Sequence, residues 1–319
     1  MNPALPQGLA DALDALLEGV SRKELAVRAQ AISQRYRDGR SSGVAIASAE
    51  DAIAYAVARL PATYAVTEKV LDEVRRSAPA FAPRTMLDVG AGPGTARWAA
   101  RETWPALSHV TLSDSNAHFR NLSRALAPPG EAAYIARDLV RDLLPEADLV
   151  IAGYVLAEVA PRDQHDVIVK LFAAASDVLV LIEPGTPAGF ERIRAARGLL
   201  VEQGAQILGP CTHANACPMT GTDWCHFSQR LPRSRDHLLA KDACVPFEDE
   251  RFSWIAVSRT RRSDFAGQAR VLAPPNDSKP GIMLKLCTPD GLESRLVARR
   301  DREVFAALRR VRWGDIVVV

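Results

Sequence analysis

Short apolar stretches alternate with amphipathic helical stretches from residue 85 onward, and this alternation limits the chain to few folds. Helical periodicity covers most of the segments between the apolar stretches, which we interpret as strands. The predicted strands lie at 86–89, 109–114, 132–136, 147–156, 177–184 and, after a break, 253–258. Alternating strands and helices predict an α/β domain whose parallel sheet is covered on both faces.

A glycine-rich segment, LDVGAGPGT at residues 87–95, lies between the first predicted strand and the first helix of this alternation. Glycine lets the backbone turn tightly and approach a ligand, and the following helix offers free N–H groups to an anion. Asp114 ends the second predicted strand, 20 residues after Gly94, where a carboxylate can accept both ribose hydroxyl protons. This order of elements predicts a nucleotide-type cofactor site. Its predicted contacts are Gly90, Gly92, Gly94 and Asp114.

Three cysteines lie within fifteen residues of a segment that has little periodicity, and 61 residues separate the last of them from a fourth. They are Cys211, Cys217, Cys225 and Cys287. Clustered thiolates in a chain without an export signal indicate a metal or iron–sulfur site rather than a disulfide framework. Four sulfurs suit tetrahedral Zn²⁺ or a [4Fe–4S] cluster, and the wide gaps fit the cluster better than zinc-ribbon spacing.

Other residues near these cysteines leave alternatives open. His213 and His226 are either substitute ligands or neighbours of the site, since histidines beside such sites are often outer-shell groups. Cys244 has no partner nearby and is predicted to be a buried thiol. The alternative is that the four cysteines are unrelated core residues that share no site. The tight spacing of three of them disfavours this alternative.

The pattern along the chain divides it into four parts. Residues 8–78 show amphipathic helical spacing, and Pro61 is predicted to end one helix before another begins at Tyr64. Residues after Pro274 read as short strands with a helix across 301–310. The predicted parts are an N-terminal helical region at 1–80, a core at 81–203 and 251–273, a cysteine-rich insertion at 204–250, and a C-terminal β-rich module at 274–319.

Charge is unevenly distributed although the net charge is only +2. Residues 226–319 carry 18 Lys and Arg against 12 Asp and Glu. This favours contact with a polyanion there. The predicted contacts are Arg259, Arg261, Arg262, Arg299, Arg300, Arg309, Arg310 and Arg312. The alternative is that these arginines pair with the acids Glu248, Asp249, Glu250, Asp301 and Glu303.

The N-terminus lacks the basic and apolar regions of a signal peptide, and no apolar run reaches the roughly 18 residues of a membrane span. We therefore expect a cytoplasmic protein with no membrane partner.

The glycine loop reads GxGxG and resembles motif I of class I S-adenosylmethionine methyltransferases. The resemblance implies that Asp138, in IARDL, contacts the adenine, although a solvated turn residue is an equal alternative. Asp88 would either contact the cofactor or organise the loop. The segment AGYVLAEV lacks the Asn/Asp-Pro-Pro-aromatic motif of amine methylation, and the loops after strands four and five lack a cysteine nucleophile. Glu158 and Glu183 are candidate bases, and no catalytic residue is assigned.

The segments PCTHANACP, WCHFSQR, EDERFSWIAVSR, LCTPDG and WGD together resemble one family, the methyltransferase-like proteins of small ribosomal subunit assembly from mitochondria and bacteria. The resemblance covers roughly residues 60–319. It implies a class I S-adenosylmethionine methyltransferase (Rossmann-like) core that binds S-adenosylmethionine, with an N-terminal helical cap, a cysteine-rich metal-binding insertion and a small C-terminal β-rich module. It implies binding to the immature small ribosomal subunit through rRNA, and a monomer away from the ribosome. It assigns a [4Fe–4S] cluster to Cys211, Cys217, Cys225 and Cys287, and leaves out Cys244.

Three functions follow as hypotheses. The first is an rRNA-binding assembly factor that holds S-adenosylmethionine and uses its cluster structurally. The second is an active S-adenosylmethionine-dependent rRNA methyltransferase with a structural zinc or iron–sulfur site. The third, radical chemistry, is disfavoured because the chain lacks a CxxxCxxC run.

Overall fold

A computed structural model of the chain describes residues 4–37, 42–128 and 130–318. Its helices are α1 (Gln7–Leu16), α2 (Arg22–Arg37), α3 (Ser42–Ala45), α4 (Ala49–Ser77), α5 (Thr95–Thr103), α6 (Ala117–Ala125), α7 (Gln164–Ala174), α8 (Pro187–Glu202), α9 (Arg235–Ala240) and α10 (Arg302–Leu308), with 3₁₀ turns at Leu156–Glu158 and Pro161–Asp163. Its strands are β1 (Thr85–Val89), β2 (His109–Ser113), β3 (Ala133–Ile135), β4 (Ala147–Gly153), β5 (Ala175–Pro184), β6 (Gln206–Gly209), β7 (Phe227–Pro232), β8 (Phe247–Ser258), β9 (Ala269–Val271), β10 (Asn276–Asp277), β11 (Gly281–Thr288), β12 (Gly291–Ala298) and β13 (Ile316–Val317).

The larger of two sheets has the order β3-β2-β1-β4-β5-β8-β6, and β7 also pairs with β8. Strands β1 to β5 run parallel, as the alternating pattern predicts. Strand β8 runs antiparallel to β5, and β6 and β7 run antiparallel to β8. The prediction of a wholly parallel sheet is therefore wrong on this side, because the chain returns to β5 through a long connection rather than a crossover helix.

Helix α4 continues through Pro61, so the predicted break at this residue is wrong. Proline removes the hydrogen bond to the carbonyl four residues earlier, at a cost of about 3 kcal/mol in a helix interior. The Thr63 hydroxyl donates to the carbonyl oxygens of Arg59 and Leu60 at 3.2 Å each, which supports this turn. Both sides of the turn are buried in the core, and this packing keeps the helix continuous.

The N-terminal helical region packs against the core, because α4 contacts α5 and α6 and the α3 segment lies beside the start of α6. Asn116, the N-cap residue of α6, donates from its amide to the carbonyl oxygens of Ser42 at 3.2 Å and Ile46 at 2.9 Å. The capping interaction predicted for α4 is present, because Ser48 accepts a hydrogen bond from the Asp51 N–H. No helix within the described residues is long and apolar enough to cross a membrane.

The second sheet contains the predicted C-terminal strands in the order β10-β11-β9-β13, with β12 paired to β11. Strand β9, which falls inside the predicted core range, belongs to this smaller sheet. Strands β6 and β7 lie inside the range predicted as an insertion, yet they belong to the large sheet. The irregular part of the insertion is therefore mainly residues 210–226, which connect β6 to β7 along the chain.

Candidate functional sites

A cavity of about 330 Å³ lies where β1, β2 and β4 end. Ligands of open α/β sheets bind at this edge, outside the carboxyl ends of the strands. Four of the six predicted cofactor contacts line the cavity, namely Gly90, Gly92, Asp114 and Asp138. Asp88 and Gly94 are outside its lining.

Two glycines of the loop serve different purposes. Gly92 has φ +52°, and a Cβ placed there would meet no heavy atom within 4 Å. Its side-chain position is open space beside the cavity, so a ligand can approach the backbone here. Gly94 is the N-cap residue of α5 with φ +78°, and a Cβ there would lie 2.3 Å from Oγ of Ser123. Close approach of α5 and α6, rather than contact with the cavity, requires glycine at this position.

Asp114 fixes the loop and faces the cavity. Its Oδ2 accepts a hydrogen bond from the N–H of Gly92, and its Oδ1 accepts one from the N–H of Asn116, both at 2.8 Å. Burial raises the pKa of Asp114, and these two hydrogen bonds oppose that rise. Each carboxylate oxygen keeps a second lone pair, so Asp114 can accept hydroxyl protons of a ribose while it keeps its own contacts.

Asp88 is buried at the end of β1, beneath the glycine loop. Its Oδ2 has no hydrogen-bond partner in the described part of the chain. Burial, with repulsion from Asp114, raises the pKa of Asp88 to about 7. The side chain makes no hydrogen bond to the loop within the described residues, so a loop-organising role is not seen. Whether Asp88 contacts the cofactor or organises the loop stays a prediction.

Asp138 is a turn residue that also lines the cavity, and its contact with an adenine stays a prediction. Its Oδ1 accepts hydrogen bonds from the N–H groups of Val140 and Arg141, at 2.9 and 3.2 Å, so it stabilises a turn. The same residue is exposed and lines the mouth of the cavity.

Aromatic residues that sequence reasoning missed form part of the cavity wall. Tyr36 of α2 and Tyr55 of α4 lie with ring centroids 5.9 Å apart, and Tyr55 meets Phe119 of α6 edge-on at 5.1 Å. All three line the cavity. Helical periodicity predicted that the N-terminal helices are amphipathic, but it gave no sign that their inner face meets the cofactor edge. The cap therefore contributes to the site.

The segment after β4 supplies a strained tyrosine and an acid. Tyr154 has φ +62°, which is unusual for a residue with a side chain, and its buried hydroxyl has no partner among the described residues. Glu158 also lines the cavity, and its Oε2 accepts a hydrogen bond from the Ser42 N–H at 2.7 Å. Burial raises the pKa of Glu158. Glu183 lies outside the lining and is paired with Arg192 at 2.7 Å, so Glu158 is the candidate base that faces the cavity.

The four predicted ligand cysteines all line a second pocket, although they come from two distant segments of the chain. Cys211 and Cys217 lie on the irregular loop, Cys225 precedes β7 and Cys287 lies on β11. The pocket has a volume of about 30 Å³, close to the space of one or two water molecules. In this arrangement, no group of three or more His, Cys, Asp or Glu residues within the described ranges could hold a single metal ion.

The cysteines of the pocket raise one another's pKa values. Burial raises the pKa of Cys225 well above its usual range, and Cys211, Cys287 and Cys217 raise it further. Burial and the neighbouring thiols raise the pKa of Cys287 to about 12. Without a cation these groups are neutral thiols at pH 7, and a metal that binds thiolates would reverse the preference.

The neighbouring residues divide into those at the pocket and those outside it. His213 lines the pocket, with its Nε2 3.4 Å from Sγ of Cys287. His226 lies outside the lining and stacks on Trp224 at 5.0 Å between ring centroids. Cys244 is also outside, as predicted, but it is exposed, so the prediction of a buried thiol is wrong. It follows a helical turn on the surface rather than entering a core.

The eight arginines proposed for RNA divide into two groups. Arg259 donates to backbone carbonyl oxygens, Arg261 pairs with Asp177 at 2.6 Å, and Arg299 pairs with Asp277. The other five have no side-chain partner within the described residues: Arg262, Arg300, Arg309, Arg310 and Arg312. Of the acids named as alternatives, none pairs with any of the eight in the described structure. Glu248 contacts Arg233, His237 and Lys241, Asp249 contacts Arg230, and Glu250 contacts Arg59.

Comparison with known proteins gives relatives of one kind. The chain is 28% identical over 289 residues to the human protein named "Ribosome assembly protein METTL17, mitochondrial", covering 84% of this chain and 62% of that protein. It is 22% identical over 326 residues to the Schizosaccharomyces pombe protein named "Rsm22-cox11 tandem protein 2, mitochondrial", covering 83% of this chain and 42% of that one. The chain thus spans less than two thirds of the length of these relatives.

Among solved structures, an O-methyltransferase family protein from Burkholderia thailandensis is similar with a TM-score of 0.46 and 14% identity, covering 75% of this chain and 72% of that one. The sequence model of a family described as "Mitochondrial small ribosomal subunit Rsm22" matches residues 49–318, which include the glycine loop and all four pocket cysteines. The chain belongs to this Rsm22 family.

Proposed function

We propose that this protein is an rRNA-binding assembly factor of the small ribosomal subunit. The observation that carries the proposal is the family match across 49–318, because this range includes the glycine loop, the four pocket cysteines and the basic C-terminal part. The names of the relatives, one of them a ribosome assembly protein, support the same role. Both relatives are mitochondrial by name, and a cytoplasmic location for this chain stays a prediction, as does a monomer away from the ribosome.

Sedimentation of cell extracts tests this role. The tagged chain should migrate with immature small subunits, and its depletion should make such particles accumulate. The proposal would be contradicted if the tagged chain sediments only as free protein and its depletion leaves the levels of small subunits unchanged.

The glycine-loop cavity is proposed to bind S-adenosylmethionine. Gly92 leaves space beside the loop, and Asp114, which lines the cavity, offers lone pairs to a ribose. We expect Asp114→Ala to weaken binding by roughly 1–3 kcal/mol, since the hydroxyls are then left without a buried acceptor. Calorimetric titration measures this, and equal affinity in both proteins would mean that the cavity holds another ligand.

The four-cysteine pocket is proposed to hold a [4Fe–4S] cluster, with zinc as the alternative. The donor set fits either group, because thiolates select both. A single ion requires four sulfurs within bonding distance of one point, and the described arrangement offers no such group. A cluster spreads its thiolate ligands over four irons, and all four cysteines line the one pocket that it would occupy.

Anaerobic purification distinguishes the two metals. We expect brown protein with iron and sulfide in a ratio of about four to four. Colourless protein that holds one zinc would replace the cluster by the zinc alternative and would leave the assembly role intact.

Methyl transfer to rRNA is the second candidate function. Two features of the cavity favour methyl transfer: the left-handed backbone conformation of Tyr154 and the raised pKa of Glu158. Strained residues and acids with a raised pKa are common at reactive sites. Incubation of purified protein and immature subunits with labelled S-adenosylmethionine tests it. Label in the rRNA that disappears with Glu158→Gln would establish activity, and an absence of label would favour an assembly role without catalysis.

A further inference from the structure

A buried positive charge lies against the cysteine pocket. Arg197, on α8, is only 5% exposed, and no carboxylate of the described residues forms an ion pair with it. Burying a guanidinium without a compensating negative charge is costly. Arg270, a second buried arginine near the pocket, has its charge balanced by Glu73. Arg197 is therefore a buried cation beside the cysteines whose charge no carboxylate of the described residues balances.

The guanidinium of Arg197 points at the first cysteine. Its Nε donates to Sγ of Cys211 at 3.3 Å, and its Nη2 donates to the carbonyl oxygens of His213 at 2.8 Å and Asn215 at 2.7 Å. A neutral thiol is a weak acceptor, whereas a thiolate accepts a charge-assisted hydrogen bond. A thiolate of a bound metal centre would therefore accept a stronger hydrogen bond from Arg197 than a neutral thiol does.

The same three hydrogen bonds shape the loop at residues 211–215. On its other side, the Asn215 amide donates to the carbonyl oxygen of Pro289 at 2.9 Å, and the ring of His213 approaches Cys287. Arg197 thus holds one edge of the loop against α8 while Asn215 holds the other edge beside β11. These contacts hold Cys211 in the lining of the pocket that it shares with Cys287.

A metal–thiolate centre would supply the negative charge that Arg197 lacks. Four thiolates around either Zn²⁺ or an oxidised [4Fe–4S] core leave a net charge of about −2. One-electron reduction of the cluster would add a further negative charge. A fixed guanidinium within hydrogen-bond distance of one sulfur would offset part of this charge, and it would offset it more in the reduced state.

We propose that Arg197 is the positioning residue and built-in counter-charge of the four-cysteine centre. It orders the loop that carries Cys211, and it raises the reduction potential of a bound cluster by favouring the more negative state. The proposal rests on the proposed metal–thiolate centre, and it adds the residue that tunes this centre.

The test compares four variants by redox titration of the visible absorbance, by metal content and by thermal unfolding of the metal-free form. Arg197→Met removes both the charge and the hydrogen bonds, Arg197→Gln keeps N–H donors without charge, and Arg197→Lys keeps the charge. Arg97→Met is the matched control, because Arg97 is also buried without a carboxylate but contacts Tyr134 and Trp98 instead of the cysteines.

We expect Arg197→Met and Arg197→Gln to lower the reduction potential of the cluster by about 59 mV. For a one-electron couple this means an about tenfold lower ratio of reduced to oxidised cluster at a fixed applied potential. Arg197→Lys should restore most of the wild-type potential, and Arg97→Met should leave it unchanged. If Arg197→Met does not fold, the Gln and Lys variants carry the comparison, since a role in loop structure alone would not separate them by charge.

The outcomes separate this inference from the proposal on which it rests. Wild-type protein with iron and sulfide, but with one potential in all variants, would overturn the role of Arg197 and keep the cluster. Wild-type protein with zinc would support the role if a chelator removes zinc about tenfold faster from the Met and Gln variants than from the Lys variant, and equal rates would overturn it. Wild-type protein that binds neither metal would overturn both.

Discussion

The glycine-loop cavity and the cysteine pocket differ in what they lack without a ligand. In the cavity, both oxygens of Asp114 already accept backbone hydrogen bonds, and Gly92 leaves room that a ligand can fill without moving the chain. In the pocket, four thiols repel one another's ionised forms, and Arg197 carries a charge that no acid of the described residues balances. The first site is already ordered by hydrogen bonds, whereas the second carries an unbalanced charge beside four thiols.

The difference follows from how each site is built. The cavity is built largely at the ends of parallel strands, whose backbone hydrogen bonds fix it regardless of what it binds. The pocket joins an irregular loop to the second sheet, and the cluster of apolar residues around it is small: Phe190, Met219, Leu272 and Cys287. Removal of the ligand should therefore change little but occupancy at one site and should change folding at the other.

If the cysteine pocket holds the proposed metal, its removal should have the largest effect. We expect chelation to lower the stability of the C-terminal sheet by about 3–5 kcal/mol, since metal binding to thiolates contributes directly to folding. At about 2–4 °C per kcal/mol this lowers the melting temperature by roughly 10 °C. Cys287→Ser should act likewise, and the exposed Cys244 gives the control variant Cys244→Ser, which should change neither metal content nor melting. Hydrogen exchange that increases equally in both sheets would contradict the comparison.

Stability as a function of pH should reveal the cost of the carboxylate beneath the loop. The pKa of Asp88 is raised from 3.8 to about 7, so the folded state keeps a proton that the unfolded state releases. Stability therefore falls as pH rises from about 4 to 7, by at most about 4 kcal/mol. Asp88→Asn stays neutral and should be more stable than wild type at pH 8 but not at pH 4. Urea unfolding at both pH values measures the difference, and a difference that is the same at both would remove Asp88 as its cause.

Gly92→Val should weaken S-adenosylmethionine binding at least about a hundredfold, by placing a side chain in the open space beside the loop. Gly204 provides a matched control, because it also has positive φ, +82°, with no heavy atom near its Cβ position, and it is outside the cavity. Gly204→Val should match the backbone strain, of about 1–2 kcal/mol, and keep full affinity. An equal fall in affinity in both variants would show that strain, and not occupancy of the cavity, weakens binding.

The sequence predicted the cavity better than the chain around it. Gly90, Gly92 and Asp114 follow strands that local patterns identify, so their meeting at one edge follows from the parallel topology. Tyr36 and Tyr55 could not be assigned to the site, because helical periodicity defines a buried face and not what that face meets. The prediction at Pro61 was wrong for a related reason, since the packing around α4 outweighs the local preference of proline.

The cysteine pocket shows the opposite limit. Spacing and family resemblance selected the four cysteines, and the structure brings them to one pocket. Neither could reveal Arg197, because it lies on a helix that the sequence assigned to the core, and buried arginines have no local pattern. The direction of β8 was equally hidden, since the path of residues 210–246 decides it.

The smallest effect concerns the basic surface. Arg309 and Arg310 are exposed and have no side-chain partner in the described structure, whereas Arg261 is held by Asp177 at 2.6 Å. Changing both free arginines to Gln should reduce the log–log salt slope of small-subunit binding by roughly 0.7–0.9 for each arginine that neutralises a phosphate. Arg261→Gln, the paired control, should leave the slope unchanged, because its charge is already balanced. Filter binding to immature subunits at several salt concentrations measures the slopes. The contrary result would be a slope that flattens in Arg261→Gln and not in the double variant. The RNA would then lie near the large sheet, and the C-terminal module would contribute only to the cysteine pocket.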